Sequence, residues 1–383
     1  MEECSVNEPA PEFNSHRGAD VSRMIVLYVA ALSIALLLAS TLIVLVTDAS
    51  PLEVSEALYR GSFSSPSAIG FTIEQATPIL IVALGSLIAS RSGLFNIGPE
   101  GQFAVGTAAG GLVMFQMGGP PAVVLPLTLV AAGLGGAAWA GIAAFLKAVR
   151  GVDVVITTLL LNFVAIQVVS FCVNRYWLLQ ERTGGRIDPP QSPLVGESYR
   201  LPRLGSPTGF NVHTGFLLAL VLAAAVWYAV SQTRWGFRLR MLGFNPLAAR
   251  AAGVNLVVLG GGALVLSGAF AGLAGGVFFT ATGFRVTSGV LNYGYEGLLV
   301  ALISRGRVAA IVPIAIAFGA LRSGGGYLGA TGVPRYMVDI VQALIVLAAL
   351  MPPVIADRMA RARTMRVIRS AARVRESAPA VPS

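Results

Sequence analysis

Charge is what this sequence has least of. Only 12% of its 383 residues are Asp, Glu, Lys or Arg, while 55% are hydrophobic. A soluble chain of this size carries about 25% charged residues. A water-facing globule is therefore excluded, and apolar helices buried in a bilayer are expected. Lysine is almost missing, with Lys147 standing alone. The net charge is nonetheless +9. Its arginines sit between apolar runs and in the C-terminal tail, the pattern of membrane orientation rather than of a nucleic-acid face. No soluble domain remains to hold nucleic acid.

Other absences narrow the chemistry. There are two cysteines, Cys4 and Cys172, with no CxxC and no Cys/His cluster. Neither a disulfide nor a metal site is expected. His16 and His213 fall in polar flanking segments and read as ordinary surface histidines. No GxxxxGK[ST] occurs, so the chain holds no nucleotide in a P-loop of its own. No GxSxG, HExxH or Ser/His pairing points to an enzyme.

Long apolar runs are what the chain does have. Residues 24–46 form 23 positions without a charge, enough to cross the hydrocarbon. The acidic tail before them (Glu2, Glu3, Glu8, Glu12, Asp20) is unlike the basic start of a signal peptide, so an uncleaved first helix is expected. Further runs cover 68–89, 97–117, 122–146, 154–173, 214–231, 256–280, 295–304, 308–321 and 335–351, ten in all. The eighth is too short to span unaided and predicts a broken or re-entrant helix.

With the N-terminus in the cytoplasm, ten spans return the C-terminus there. Lys and Arg then divide 18 inside against 9 outside, or 11 against 9 without the tail. That excess agrees with the positive-inside rule. The expected organisation is a cytoplasmic tail (1–23), a transmembrane domain (24–355) and a basic cytoplasmic tail (356–383). The polar stretch 174–212 falls outside and separates five helices from five. A short echo, SLIASRSG (86–93) and VALISRGR (300–307), hints at a duplicated transporter of two related halves.

Two segments carry most of the information. Residues 91–106, RSGLFNIGPEGQFAVG, place Asn96, Glu100 and Gln102 among glycines and Pro99 between apolar runs. Polar groups and loose backbone at that depth are tolerated only against protein or a water-filled path. Glu100 can cap a half-helix or form a wall of a substrate path. Asn96 and Gln102 can bond a ribose or base edge, or satisfy broken backbone. Asn162, inside an apolar run, serves equally as glue between helices or as a ligand contact. The second segment is 233–255, TRWGFRLRMLGFNPLAARAAGVN. Asn245 and Pro246 can start a short helix and Gly253 can end it. Leu247, Ala248, Ala249 and Arg250 lie in that helix. It can dock a partner's groove or be a plain positive loop.

RSGLFNIGPEGQF resembles the hallmark of the permease subunits of ABC importers for nucleosides and simple sugars, in the branched-chain amino acid/ribose permease-like superfamily. RWGFRLRMLGFNPLAARAAGVN is similar to that family's cytoplasmic coupling segment. VITTLLLNFVA (155–165), LSGAFAGLAGG (266–276), GYEGLLVALISR (294–305), FGALRSG (318–324) and VPRYMVDIVQALIVL (333–347) agree in order and spacing. The resemblance covers about residues 70–350. It implies a second permease subunit, two ATP-binding domains in separate ATP-binding subunit(s) and an extracytoplasmic substrate-binding lipoprotein. ATP and magnesium are then expected in the ATPase, with no cofactor in this chain. The ATPase-coupling residues it points to are Arg238, Gly243, Asn245, Pro246, Ala248, Ala249, Arg250 and Gly253. Two departures stand out: Ala252 where the family often has an aromatic residue, and 281–293, which fits loosely.

Other polar positions have structural explanations at hand. Glu296, opening the short eighth run, suits a helix N-terminus. Asp339 and Arg335 are spaced for an i,i+4 pair. The steps GTAAG (106–110) and GAFAG (268–272) suit close helix packing. The expectation is an all-α, multi-pass permease of about ten helices in the cell membrane, both termini cytoplasmic, carrying a small polar substrate. A nucleoside is expected first and a simple sugar second; an ion-coupled carrier titrating Glu100 or Glu296 is the rival from another class.

Overall fold

The computed structural model describes residues 51–183, 189–205 and 209–330 continuously, and isolated helical positions within 26–42 and 340–359. About half of the run expected at 24–46 and most of that at 335–351 lie outside the described residues, as do Arg335, Asp339, Cys4, His16 and the tail arginines beyond Arg358. The chain divides into two units, residues 55–332 and residues 1–54 with 333–383. The helices and the site below belong to the first, apart from the opening turn of α1.

The helices are α1 (Pro51–Phe63), α2 (Pro66–Arg91), α3 (Pro99–Gln116), α4 (Pro121–Arg150), α5 (Val154–Val173), α6 (Gly215–Gln232), α7 (Arg234–Phe244), α8 (Pro246–Ala251), α9 (Leu256–Phe278), α10 (Tyr293–Ile303) and α11 (Val308–Ala330). A π-turn, Phe279–Gly283, closes α9. Strands β1 (Arg203–Gly205) and β2 (Asn211–His213) pair antiparallel, Leu204 opposite Val212. Starts are marked as the sequence suggests. Ser65 caps α2, Asp153 caps α5 and Asn255 caps α9, each accepting from backbone N–H groups of the first turn.

Six of the described helices are long and apolar enough to cross a membrane, and the chain is a multi-pass α-helical membrane protein. Two of the expected spans are not of that kind. The run at 97–117 is interrupted: 94–98 is irregular, and α3 starts only at Pro99 with Glu100 and Gln102 in its first turn. The run at 295–304 becomes α10, 11 residues long. The run at 308–321 was drawn too short, because α11 continues through Arg322 to Ala330. A single arginine ended the hydropathy pattern but not the helix.

α2 is the central post, buried through most of its length. Around it stand α6, α9, α10 and α11. The ends of the bundle differ in charge. Arg91, Lys147, Arg240 and Arg307 gather at one, where Arg91 donates to the Gly306 carbonyl and the two echo segments meet. The 174–213 segment closes the other. There Gln116 donates to the carbonyl of Trp177, and Tyr199 to that of Gly119.

Lipid tails offer helices no hydrophobic reason to associate, so close packing must hold them. Glycine provides it where α3, α4 and α9 cross. A methyl group placed on Gly136 would come 2.7 Å from the Gly272 Cα, and one on Gly106 would come 2.8 Å from the Ala132 carbonyl. Both GxxxG steps noted in the sequence contribute to this crossing, Gly106 from one and Gly268 and Gly272 from the other.

Candidate functional site

The two interruptions meet inside the bundle. Tyr293, at the start of α10, donates to Gln75 near the middle of α2, and Gly297 packs on Val82. Gly294 lies against Pro99 and Glu100, so α3 and α10 begin at the same level, partway along α2. Two helix N-termini thus point at one place, each with unsatisfied N–H groups and a positive dipole end. The Glu100 carboxylate answers both needs. Its Oε1 accepts from Leu291 and Asn292 N–H at 2.8 and 2.9 Å, and its Oε2 accepts from Gly294 N–H at 2.8 Å. Asn292 itself is left-handed at φ 67°, a conformation Asn tolerates better than most residues.

Asn96, Gln102 and Asn162 complete the local network. Asn96 exchanges two hydrogen bonds with Gln102, donates to Ser267 and accepts from Gly98 N–H. Asn162 on α5 accepts from Gly101 N–H and donates to the Ile97 carbonyl and Tyr295 hydroxyl. Thr158 takes the Ile97 N–H. The N–H and carbonyl of Ile97 and the N–H of Gly98, outside any helix, are thereby paired with side chains, which is what irregular backbone requires at membrane depth. All four expected path residues come together here, each at most 3% exposed. In this conformation they bond to protein, not to an open cavity.

One central residue, Arg322, was missed by the sequence reading, whose run at 308–321 stops just before it. It lies within α11. It pairs with Glu296 at 2.8 Å, donates to the Leu291 carbonyl and stacks 3.7 Å over the Tyr293 ring. Glu296 was explained by helix dipole alone. A buried carboxylate also wants a cationic partner, and that requirement was the signal that could have found Arg322. Phe103, Phe278 and Tyr293 pack as a ring cluster beside the pair.

His213 also needs correcting, for it is fully buried in β2 rather than at the surface. The polar residues around it form the β1–β2 pair that folds it onto α2. Burial pushes its pKa down to about 4, and nearby Arg203 pushes the same way, against a weak approach of the Glu74 backbone. Neither ring nitrogen has a hydrogen-bond partner. Arg203 reaches Glu74 at 3.2 Å.

At the basic end, α7 and α8 make an elbow. Asn245 ends α7 and caps α8, accepting from Ala248 N–H at 3.1 Å, with Pro246 in the first turn. Gly253 closes the elbow at φ 77°. Gly243 lets α7 approach the end of α2, since any side chain there would strike Gly93 and the Arg91 carbonyl. Ala249 is the inward-facing residue of α8, while Arg238, Ala248 and Arg250 face outward. Phe244 is 89% and Leu247 80% exposed. Two large apolar side chains are thus left bare beside the exposed Arg238, Arg240 and Arg250. The coupling candidates therefore fall on one elbow, separate from the buried network of Asn96, Glu100, Gln102 and Asn162.

The family model described as branched-chain amino acid transport system / permease component matches residues 68–350. The chain belongs to that permease family. Among similar proteins, a guanosine ABC transporter permease of Bacillus subtilis is 34% identical over 318 residues, spanning 81% of this chain and 89% of the relative. A glucose ABC transporter permease of Haloferax volcanii is 32% identical, spanning 78% and 80%. A nucleoside ABC transporter permease of Lactococcus lactis is 27% identical, spanning 81% and 86%. No solved structure matches the chain. The matched residues include the interrupted helices and the elbow of this permease.

Proposed function

We propose that this permease is one membrane subunit of an ATP-driven importer that carries nucleosides across the cell membrane. The observation that carries the substrate is kinship: relatives named for guanosine and for nucleosides align over four fifths of the chain. The bare elbow at Phe244 and Leu247 supports docking of a separate ATPase there. In this reading ATP and magnesium bind the ATPase, whose closure pushes the elbow. A second permease subunit supplies the other wall of the path, and an external lipoprotein delivers substrate. Ten helices in two related halves, with both termini cytoplasmic, fit the basic end facing the cytoplasm.

A simple sugar is the second reading, favoured by the glucose permease relative. A proton-coupled carrier is disfavoured, because Glu100 is held by three backbone N–H groups and Glu296 by Arg322. A mild-detergent pull-down of the tagged chain from its native cells tests the assembly. Recovery of an ATP-binding subunit and a second permease, lost on Arg250→Glu, is expected. Recovery of the chain alone, with uptake that survives ATP depletion but not loss of the proton gradient, would overturn it.

A further inference from the structure

A cavity of about 340 Å³ opens at the basic end, between the last turns of α4, the first turns of α9 and the root of the α7–α8 elbow. That is within the range of small-ligand clefts, about 300–1,000 Å³. Its lining is apolar or glycine apart from Ser92 and Lys147, and Ser92 already donates to the Ala89 carbonyl. No acidic side chain lines it. The charge at its edge is Lys147, the sole lysine of the chain, with Arg150 in the same last turn of α4. Arg91, next to the lining residue Ser92, lies close enough to Arg240 to repel it. The adjoining surface is bare hydrocarbon: Phe145 is 64% exposed, Val149 58% and Val257 55%.

We propose that this cavity binds an anionic phospholipid, one acyl chain between α4 and α9 and the phosphate at Lys147. Three features select that occupant. The lining suits a hydrocarbon chain and would leave a peptide's N–H and C=O groups unpaired. The one charged residue in the lining, Lys147, is a point charge of the kind that binds phosphate. Basic pockets between helices at a membrane surface are where anionic headgroups collect. The space exists because of small residues: a side chain started at Gly261 meets only the Ala144 methyl, at 3.8 Å. Leu242, Gly243 and Pro246 form one wall, so the bound lipid braces the root of the elbow. This goes beyond the transport function and does not depend on which substrate is carried.

The test is native mass spectrometry of the purified chain from nanodiscs holding phosphatidylglycerol and phosphatidylcholine in equal amounts. Wild type should retain phosphatidylglycerol over phosphatidylcholine, and so should a chain truncated after residue 355, which lacks the arginine tail. Lys147→Glu and Gly261→Phe should each cut retention about tenfold, while Lys147→Arg keeps it. Gly261→Leu replaces the larger ring if Gly261→Phe elutes as misfolded material. Wild-type retention in both the charge and the filling variants would overturn the site. So would equal retention of the two lipids, or loss on truncating the tail alone. Displacement by glycerol phosphate, which has no acyl chain, would assign the site to a free phosphate and overturn the proposal. Capture of a protein segment in place of lipid would also overturn it.

Discussion

At the scale of the residue, Glu100 shows how a polar side chain at membrane depth can be structural. It takes three backbone N–H groups that the interrupted α10 would otherwise leave bare. Hydrogen bonds to a charged group contribute about 1.5–3 kcal/mol each, and unsatisfied buried donors cost as much again. Glu100→Ala should therefore lower stability by at least ~3 kcal/mol, read as a fall in the fluorescence melting midpoint in detergent. An unchanged midpoint with lost uptake would return Glu100 to the wall of the path. His213 gives a pH signature. Its folded pKa near 4 lies below the ordinary 6.5, so the unfolded chain binds the proton first. The contribution of His213 is full above pH 6.5 and is lost as pH falls towards 4, by about 3 kcal/mol. Between pH 7 and pH 4 the melting midpoint of wild type should therefore fall relative to that of His213→Gln. Equal slopes in the two proteins would contradict a buried neutral imidazole.

At the scale of the element, the crossing of α3, α4 and α9 rests on backbone contact rather than side-chain fit. A side chain on Gly136 runs into the backbone of Gly268 and Gly272, which has nowhere to yield, whereas one on Gly262 meets open space. Gly136→Val should fail to give monodisperse protein in size-exclusion chromatography, and Gly262→Ala should elute as wild type. Matching behaviour of the two would contradict the crossing. Much of this was legible in the sequence, because helix starts and packing steps are local signals. Val154–Val173 was bounded by hydropathy alone, and the Asn245, Pro246 and Gly253 turn by capping chemistry. What stayed hidden was non-local. Arg322 reads as the end of a span until Glu296 and Tyr293 are seen packed beside it. His213 reads as exposed until β1 and β2 fold it onto α2. Asn96 left ligand and broken backbone equally open, and Asn162 left glue and ligand, since Ser267, which Asn96 bonds, and Ile97 and Gly101, which Asn162 bonds, lie far along the chain from them.

At the scale of the whole molecule, the exposed elbow and the polar network are set apart. The elbow of α7 and α8 leaves Phe244 and Leu247 bare at the basic end, while Glu100 ties two half-helices together inside the bundle. α2 connects them: its last residue, Arg91, lies under Gly243, and its middle carries Gln75 against Tyr293. A push on the elbow thus has a packed route to the place where α3 and α10 begin. In the proposed importer this movement is driven by ATP and carries a nucleoside. The most direct measurement is uptake of radiolabelled guanosine into vesicles holding the full complex, with ATP supplied on the elbow side. ATP-dependent accumulation that unlabelled nucleosides suppress, that glucose does not, and that Leu247→Glu abolishes without unfolding the chain is the expected result. Guanosine accumulation that follows an imposed proton gradient in the absence of ATP, unchanged by Leu247→Glu, would contradict it.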